Sequence, residues 1–278
     1  MKESPLILFL YRTVPGRVLL KILVHPSVSK AAARFFSSGL SAPVIPYFAR
    51  KNRIDRERFA IPPGGYSSFN DFFTRKLKEE YLPSLPSSAD RDSVLISPCD
   101  GLLTVKRIRE DSVFEIKHCR YVLSELLKSK KLAKSFSGGY ALIFRLTPKH
   151  YHRYLYAGSG TLRAKRTIPG ILHCVRPAAL SEFPVFVENS RKYTVIRNPR
   201  FGRIVQMEIG ALLVGKITDL KKSYPGQEVY AGMEKGYFEY GGSTIILLLE
   251  KKPPVRNAFR SREKISGEVP VSIGKLLL

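Results

Sequence analysis

The sequence lacks the patterns that define disulfide-bonded domains and common metal sites. Three cysteines, Cys99, Cys119 and Cys174, are spread over 278 residues, and neither Cys-x-x-Cys nor His-Glu-x-x-His occurs. An odd number of separated cysteines fits reduced thiols in a reducing compartment better than a disulfide framework. We therefore expect no bound metal.

Long apolar segments are also absent. No run of about 20 apolar residues occurs, so we expect no membrane-spanning helix. The apolar stretch at residues 5–11 is too short for the core of a signal peptide, and no small-residue cleavage site follows it. An apolar fraction of 44% is nevertheless enough to build a folded core, which excludes a disordered chain.

Acidic side chains are scarce relative to basic ones. The chain has 23 Asp or Glu against 47 Lys or Arg, which gives a formal net charge of +24. So large an excess predicts an anionic partner, either nucleic acid or a membrane surface rich in acidic lipid. No signature of a nucleic-acid-binding fold accompanies the charge, so a membrane is the expected partner and nucleic acid is not.

Residues 1–65 are predicted to form a basic helical region that associates with the membrane. Residues 16–36 show helical periodicity, and Pro26 should break or kink the helix. Their apolar side is formed by Val18, Leu19, Ile22 and Leu23. Such a segment can lie in the bilayer interface with its cations on lipid phosphates, although a core-packing helix with a solvated basic face explains the pattern equally well. A Pro-Pro-Gly-Gly break at 62–65 marks the end of the region.

Residues 66–278 are predicted to form a β-rich domain, which makes the chain an α+β protein. A short capped helix is expected within residues 67–77, and another within residues 115–129. Many short strands separated by Gly and Pro turns indicate a β-sandwich or barrel-like domain. The expected strands include residues 140–146, 183–187, 193–197, 204–209 and 212–217.

The most informative stretch of the sequence is residues 236–250. Gly241, Gly242 and Ser243 lead directly into an unbroken apolar run at residues 245–249, typical of a strand buried on both faces. Two glycines remove Cβ atoms where the chain enters this strand, so a close backbone approach becomes feasible. Considered alone, the tripeptide is more typical of a glycine hairpin with a solvated serine, since such tripeptides mostly mark turns.

Two further residues are candidates to work with this serine. Asp100 lies in a Cys-Asp-Gly turn, and His152 follows the strand expected at residues 140–146. A hydroxyl, an imidazole and a carboxylate can act as nucleophile, base and orienting acid, in any chain order. Asp-Gly is also ordinary turn chemistry, so these residue types alone do not establish a catalytic triad.

Several motifs, taken in order, resemble the bacterial branch of the pyruvoyl-dependent phosphatidylserine decarboxylase family. Each motif is weak alone, but their order along most of the chain is specific. They are Ser68-Phe69-Asn70-Asp71-Phe72-Phe73-Thr74-Arg75-Lys76-Leu77, Ser97-Pro98-Cys99-Asp100-Gly101, Tyr151-His152-Arg153-Tyr154, Pro169-Gly170-Ile171-Leu172-His173, Asn189-Ser190-Arg191, Phe201-Gly202, Gly210-Ala211-Leu212-Leu213-Val214-Gly215, and residues 238–250.

The resemblance implies that the precursor cleaves itself between Gly242 and Ser243. The products would be a β chain of residues 1–242 and an α chain of residues 243–278, held together as a heterodimer. Ser243 would become a covalent pyruvoyl group, the cofactor that forms a Schiff base with phosphatidylserine. Loss of CO2 would then give phosphatidylethanolamine, with the pyruvoyl group accepting the electrons.

The resemblance also assigns roles within the self-cleavage reaction. His152 would take the proton of the Ser243 hydroxyl, while Asp100 orients and stabilises the imidazole. Because the substrate is a membrane lipid, the protein is expected to be peripheral on the cytoplasmic face of the cell membrane.

This chain departs from the family pattern around its histidines. Many members carry a second histidine three residues after the Tyr-His-Arg histidine, and this chain has Leu155 there. His150 stands where Asp is common, and Ser190 stands where Glu is usual. The triad histidine is therefore His152, with His150 and His173 as alternatives.

Two other functional hypotheses remain open from the sequence. A non-catalytic basic protein that binds lipid or nucleic acid through charge would account for the net charge of +24. The same pyruvoyl chemistry acting on a different serine phospholipid would account for the motifs.

Overall fold

The structure is a computed structural model that describes residues 4–84, 87, 90–116, 119–212, 216–221, 223–240, 243–265 and 267–278. Its α-helices are α1 (Pro5–Arg12), α2 (Val14–Leu23), α3 (Pro26–Phe36), α4 (Val44–Lys51), α5 (Phe69–Phe73), α6 (Leu123–Leu127), α7 (Lys130–Lys134), α8 (Pro177–Glu182), α9 (Val185–Glu188) and α10 (Pro253–Phe259). Its strands are β1 (Phe59–Ala60), β2 (Lys76–Leu77), β3 (Gly101–Arg107), β4 (Val113–Ile116), β5 (Cys119–Val122), β6 (Tyr140–Leu146), β7 (Arg153–Leu155), β8 (Gly160–Ile168), β9 (Arg191–Asn198), β10 (Gly202–Ile209), β11 (Ile217–Asp219), β12 (Glu228–Val229), β13 (Glu234–Phe238), β14 (Ser243–Leu249) and β15 (Val269–Val271).

The helical segment expected at residues 16–36 is interrupted at Pro26, as the sequence predicts. Helix α2 ends at Leu23, and α3 begins at Pro26, where the fixed φ of proline suits the first turn of a helix. Thr13 caps α2, because its hydroxyl oxygen accepts a hydrogen bond from the Gly16 amide at 3.1 Å. No helix in the described ranges is both long and apolar enough to cross a membrane.

An eight-stranded antiparallel sheet forms the centre of the protein. Its strand order is β12-β8-β9-β10-β14-β6-β3-β15, so β14 lies between β10 and β6. All seven residues of β14 are buried, as expected for a continuous apolar run flanked on both sides by other strands. The strand that begins at Ser243 is therefore enclosed in the middle of the sheet, as is its neighbour β6, whose seven residues are also buried.

Each face of this sheet carries its own hydrophobic core. Ile246 and Leu248 of β14 pack in the core that contains residues of α1, α2, α6, α8 and α9. Ile245, Leu247 and Leu249 point to the opposite core, which lies under the three-stranded sheet β11-β13-β7 and helix α10. Strand alternation places the Ser243 side chain on this second face.

The predicted α+β class is confirmed. In the described part of the chain the sheets are open, with β12 and β15 at the edges of the largest, and they do not close into a barrel. Strand β1 pairs with β2 across the boundary predicted at residue 65, with Phe59 opposite Leu77.

Two expected strands differ from the structure. Residues 183–187 were expected to be extended, but Val185–Glu188 is helical, with Val185 and Phe186 buried. A short apolar run does not distinguish a strand from a buried helical turn, so the prediction was wrong there. In the strand expected at residues 212–217, positions 213–215 lie outside the described residues, and β11 begins only at Ile217.

Candidate active site

Ser243 is the first residue of the central strand β14. It lies opposite Leu146, the last residue of β6, and its side chain is fully buried. Its hydroxyl oxygen has no hydrogen-bond partner among the residues that the structure describes. Because most buried hydroxyls are hydrogen-bonded, an unpaired one needs an explanation, of which a catalytic role is one.

The backbone before Ser243 is held by the Ser-Phe-Asn-Asp-Phe-Phe motif. The Tyr240 amide donates to Asn70 Oδ1 at 3.1 Å, and the Tyr240 ring packs on aromatic rings from three helices: Phe36, Phe48, Phe69 and Phe73. Ser68 caps α5 through a hydrogen bond from the Asp71 amide, which orients this motif. Gly241 and Gly242 lie outside the described residues, so only the Ser243 side of the predicted cleavage site is described.

His152 is fully buried directly before β7. Its ring stacks on Phe73 with 3.9 Å between ring centroids, and its carbonyl accepts a hydrogen bond from the Phe238 amide of β13. Neither ring nitrogen has a partner within the described ranges. Burial, with the nearby Arg75 cation second, lowers the pKa of His152 well below its usual value, so the imidazole is neutral at pH 7 and able to accept a proton.

Asp100 lies directly before β3, two strands away from β14 in the sheet order. Its Oδ1 accepts a hydrogen bond from the Ile273 amide at 2.8 Å. It lines a cavity of about 340 Å³ together with His150, whereas His152 does not line that cavity. The carboxylate therefore faces His150 rather than His152.

His150 interacts electrostatically with both other candidates, Asp100 and His152. Its Nδ1 accepts a hydrogen bond from the Thr147 amide at 2.9 Å. Burial lowers the pKa of His150 to about 4, while the Asp100 charge acts in the opposite direction. The charge of a protonated His150 would also lower the pKa of His152.

His173 is held on both sides of its ring. Nδ1 lies 3.2 Å from the Tyr11 hydroxyl, and Nε2 lies 3.1 Å from Glu188 Oε2. Burial lowers the pKa of His173 to about 4, and a neutral imidazole satisfies both contacts. With both nitrogens engaged, His173 is poorly placed to act as a free base, and it serves to tie α1 to the core.

An apolar cavity of about 380 Å³ lies beside the end of β6. Apolar side chains of α1 and α2 line one wall, while Leu146 and Tyr240 belong to the region around Ser243. Arg145 and Arg176 also line the cavity, so cationic and apolar groups share one space. This combination suits a molecule with an acidic headgroup and acyl chains. The residues from the N-terminal helices are Leu6, Ile7, Leu10 and Leu23.

Comparison with known proteins gives a consistent result. The family described as phosphatidylserine decarboxylase matches residues 69–276. The chain is 40% identical to phosphatidylserine decarboxylase proenzyme 2 of Clostridium acetobutylicum over 245 residues, covering 88% of this chain and 81% of that protein.

The chain belongs to the phosphatidylserine decarboxylase family.

Two further relatives are similar over most of this chain, and the second covers more of it than the first. The phosphatidylserine decarboxylase proenzyme of Ruminiclostridium cellulolyticum is 39% identical, covering 87% of this chain and 80% of that protein. The corresponding proenzyme of Clostridium botulinum strain Kyoto is 36% identical, covering 95% of this chain and 89% of that protein. The similarity thus includes most of the helical region as well as the β-rich part.

Several motifs of this phosphatidylserine decarboxylase family member have structural explanations. Asn189 holds the His173 amide and carbonyl and also donates to the Gly210 carbonyl, next to Ile209, the register partner of Thr244. Arg191 donates to four backbone carbonyls, those of Glu125, Leu126, Val187 and Asn189. The Asn-Ser-Arg motif therefore fixes backbone segments around β14.

The sequence analysis did not select three buried polar residues on the Ser243 side of the sheet. They are Tyr154, Glu208 and Lys235. For Glu208 a signal was available, because a carboxylate inside an apolar strand at residues 204–209 is costly unless paired. No comparable signal identified Lys235, since a lysine without an evident partner in the sequence is usually solvated.

Proposed function

We propose that this chain is the self-processing precursor of a pyruvoyl-dependent phosphatidylserine decarboxylase. The observation that carries the proposal is the buried, unpartnered hydroxyl of Ser243 at the start of the central strand, in a chain that belongs to this family. A solvated hairpin serine would instead be exposed.

Processing begins when Ser243 Oγ attacks the carbonyl carbon of Gly242, so that an ester replaces the peptide bond. His152 is the base for this step, because its imidazole is neutral, buried and without a partner in the described residues. Loss of the Ser243 α-proton then expels the Gly242 carboxylate and separates the chains. Water replaces the remaining nitrogen, which leaves as ammonia, and a pyruvoyl group remains at residue 243.

The pyruvoyl group supplies an electron sink for decarboxylation of the serine headgroup. The site suits it, because the orphaned Ser243 oxygen lies inside a water-excluding core. His152 would hold a proton at this end of the strand: its ring stacks on Phe73, which also contacts Tyr240. The apolar cavity beside Leu146 and Tyr240 is suited to hold the acyl chains, with Arg176 near the acidic headgroup.

The two products of cleavage are proposed to stay together as an α/β heterodimer. Strand β14 of the α chain is bordered by β10 and β6, both from the β chain. Arg145 of the β chain and Glu268 of the α chain also form a bidentate ion pair, with N–O distances of 2.7 and 2.6 Å.

We also propose that the protein attaches peripherally to the cytoplasmic face of the cell membrane. On α2, Val18, Leu19 and Ile22 are exposed rather than packed in the core, which favours the interfacial alternative. Val14 of α2 is exposed as well, and exposed apolar residues continue on neighbouring elements: Leu6, Phe9, Phe35 and Leu40. The same helices line the apolar cavity, so a lipid could pass from the membrane to the site over a short distance.

Intact-mass measurement and a denaturing gel test the processing step directly. Two fragments should appear, and the smaller should begin at residue 243 with a pyruvoyl group instead of an amine. The purified protein should then release CO2 from vesicles containing phosphatidylserine. A single full-length chain without CO2 release would remove the proposal, and release from another serine phospholipid alone would change the substrate.

A further inference from the structure

A polar cavity of about 340 Å³ lies at the end of the large sheet where β3 begins. Four separate segments of the chain supply its lining, within residues 53–59, 100–101, 149–151 and 270–275. The first segment follows α4, and the last includes part of the edge strand β15. Its lining differs from that of the apolar cavity beside Leu146 and Tyr240, with which it shares no residue.

Four cationic side chains line this polar cavity. They are Arg53, Arg58, Lys149 and Lys275. None of the four forms an ion pair with a carboxylate in the described part of the chain. Like charges gathered around one small space repel each other, so this arrangement favours a bound anion.

Two carboxylates in the lining offset only part of this charge. Asp100 Oδ1 accepts a hydrogen bond from the Ile273 amide at 2.8 Å, and Asp55 Oδ1 accepts one from the Glu57 amide at 3.1 Å. Both carboxylates are therefore engaged with the backbone. Four cations against two carboxylates leave the lining with a net charge of +2 when His150 is neutral.

The His150 ring adds a neutral hydrogen-bond donor to the lining. Its Nδ1 accepts a hydrogen bond from the Thr147 amide, so the neutral ring carries its hydrogen on Nε2. Burial lowers the pKa of His150 to about 4, and the Lys149 charge acts in the same direction. The ring thus contributes an N–H group at pH 7 without adding a further charge.

A buried cation lies directly behind one wall of the cavity. The Arg75 guanidinium carbon is 4.2 Å from the centroid of the Phe59 ring, which lines the cavity, and Nη2 donates to the His150 carbonyl. Arg75 is 2% exposed, and its Nε has no partner among the described residues. Burial lowers the pKa of Arg75 to about 10, although the Asp100 charge opposes the shift. Because a buried cation without a paired carboxylate is costly, an anion in the adjoining cavity would stabilise it.

We propose that this cavity binds a phosphate group through its four cationic side chains. A phosphate offers several acceptor oxygens and up to two negative charges, so it can engage cations from several sides, which a carboxylate does less well. Two of the four are arginines, whose planar guanidinium groups match phosphate oxygens in pairs. The phosphate can belong to an acidic phospholipid or to a free phosphate ion. The site needs no peptide-bond cleavage, so it does not depend on the proposed function.

Titration of the full chain with inorganic phosphate tests the site. Calorimetry at constant ionic strength should show one saturable site per chain. Lys149→Gln/Lys275→Gln removes two exposed cations of the cavity and should weaken binding roughly 10- to 100-fold, because charge-assisted contacts are lost. Lys131→Gln/Lys134→Gln is the matched control, since it lowers the net charge equally at exposed positions on α7. The control should bind phosphate like wild type.

Asp55→Asn should change the affinity in the opposite direction. The substitution removes a negative charge from the lining, while the amide oxygen can still accept the Glu57 hydrogen bond. Phosphate should therefore bind roughly 2- to 5-fold more tightly. Damage to the fold would weaken binding, so a gain in affinity isolates the electrostatic effect.

A short-chain soluble lipid distinguishes the two sources of phosphate. Dihexanoyl phosphatidylglycerol, used below its micelle concentration, should displace inorganic phosphate if the site takes a lipid phosphodiester. Unchanged phosphate affinity in its presence would assign the site to free phosphate.

Three results would overturn the inference. They are the absence of saturable phosphate binding by wild type, an unchanged affinity in Lys149→Gln/Lys275→Gln, and an equal loss in the α7 control. Melting temperatures without phosphate should agree among the variants, since the substituted residues are exposed. Chain splitting and CO2 release are not measured here, so failure of this site and failure of the proposed function remain distinguishable.

Discussion

Membrane binding through helix α2 can be tested by replacing its exposed apolar stripe. Val14, Val18 and Ile22 are spaced four residues apart on one helix face and are 78%, 61% and 61% exposed. We expect Val14→Ser/Val18→Ser/Ile22→Ser to reduce binding to anionic vesicles strongly. Serine has a helix propensity similar to valine and isoleucine, so the helix itself should persist.

The expected loss of membrane-binding free energy follows from the exposed area of these three side chains. Full burial of a Val or Ile side chain contributes about 1.5–3 kcal/mol. With these exposed fractions and only interfacial insertion, each residue should supply about 1 kcal/mol, and the three together about 3 kcal/mol. The vesicle partition coefficient should therefore fall roughly a hundredfold.

Flotation with vesicles of defined composition provides the measurement. A matched control is Ile61→Ser/Leu220→Ser/Ile265→Ser, which removes three apolar side chains that are 51%, 41% and 52% exposed and lie outside the N-terminal helices. The control should bind like wild type. If the α2 variant also binds like wild type while melting normally, the membrane face lies elsewhere on the protein.

The charge contribution can be measured in the same assay. Lys21, Lys30 and Arg34 are exposed on α2 and α3, and each cation near an anionic surface contributes about 1 kcal/mol. This part should weaken as salt is added, whereas the apolar part should not. Binding that is unaffected by both salt and lipid charge would contradict a role for these cations.

The remaining predictions concern the site residues. Ser243→Ala should remain one uncut chain without decarboxylase activity, and splitting at another bond would show that the cleavage site is misassigned. Asp100→Asn should slow splitting in a pulse of cell-free synthesis followed by denaturing gels, since it removes the charge that acts on His150; an unchanged rate would exclude Asp100 from the reaction. Among His152→Ala, His150→Ala and His173→Ala, we expect His152→Ala to block splitting most completely, and a normal rate for it would transfer the role of base to another histidine. Because the pKa of His152 is lowered, its neutral form should persist below pH 6.5, so the rate of splitting should stay level as pH falls from 7 to 6; a decline centred on pH 6.5 would indicate a base with an unshifted pKa.

The sequence was sufficient to predict those elements whose cause is local. Pro26 separates two helices, Ser68 caps α5, and the apolar run at residues 245–249 lies in a doubly buried strand. Each depends on the conformational preference of a residue or on a short hydrophobic pattern. These preferences act over a few residues, so they can be recognised before the structure is known.

Pairing between distant segments could not be predicted in the same way. The segment at residues 183–187 is apolar and β-branched, yet Val185 and Phe186 pack as a helical turn. Similarly, nothing near Asp100 indicates that it would face His150, since their separation is set by the order of β3, β6 and β14 in the sheet. Tertiary contacts determine both outcomes.

The buried polar residues around Glu208, on the Ser243 side of the sheet, could not be recognised from the sequence for the same reason. A carboxylate in an apolar strand suggests a partner, but the partner Lys235 lies on β13, which belongs to a different sheet. Tyr154 was visible in the Tyr-His-Arg-Tyr motif, yet its unpartnered hydroxyl became evident only from the packing of the described residues. Motifs thus led to the proposal that Ser243 reacts, while the burial of Tyr154 and Lys235 on the facing sheet could be seen only in the structure.

Because β14 lies inside the sheet, cutting the peptide bond before it changes how the protein can regain its fold after unfolding. Before scission, unfolding and refolding involve one molecule, and the tether keeps the strand at a high local concentration. Afterwards the strand between β10 and β6 belongs to a separate polypeptide. Regaining the fold then requires two fragments to meet, so recovery from heat should depend on protein concentration in the processed form and not in Ser243→Ala. Maturation would thereby turn a reversible fold into one maintained chiefly by slow unfolding.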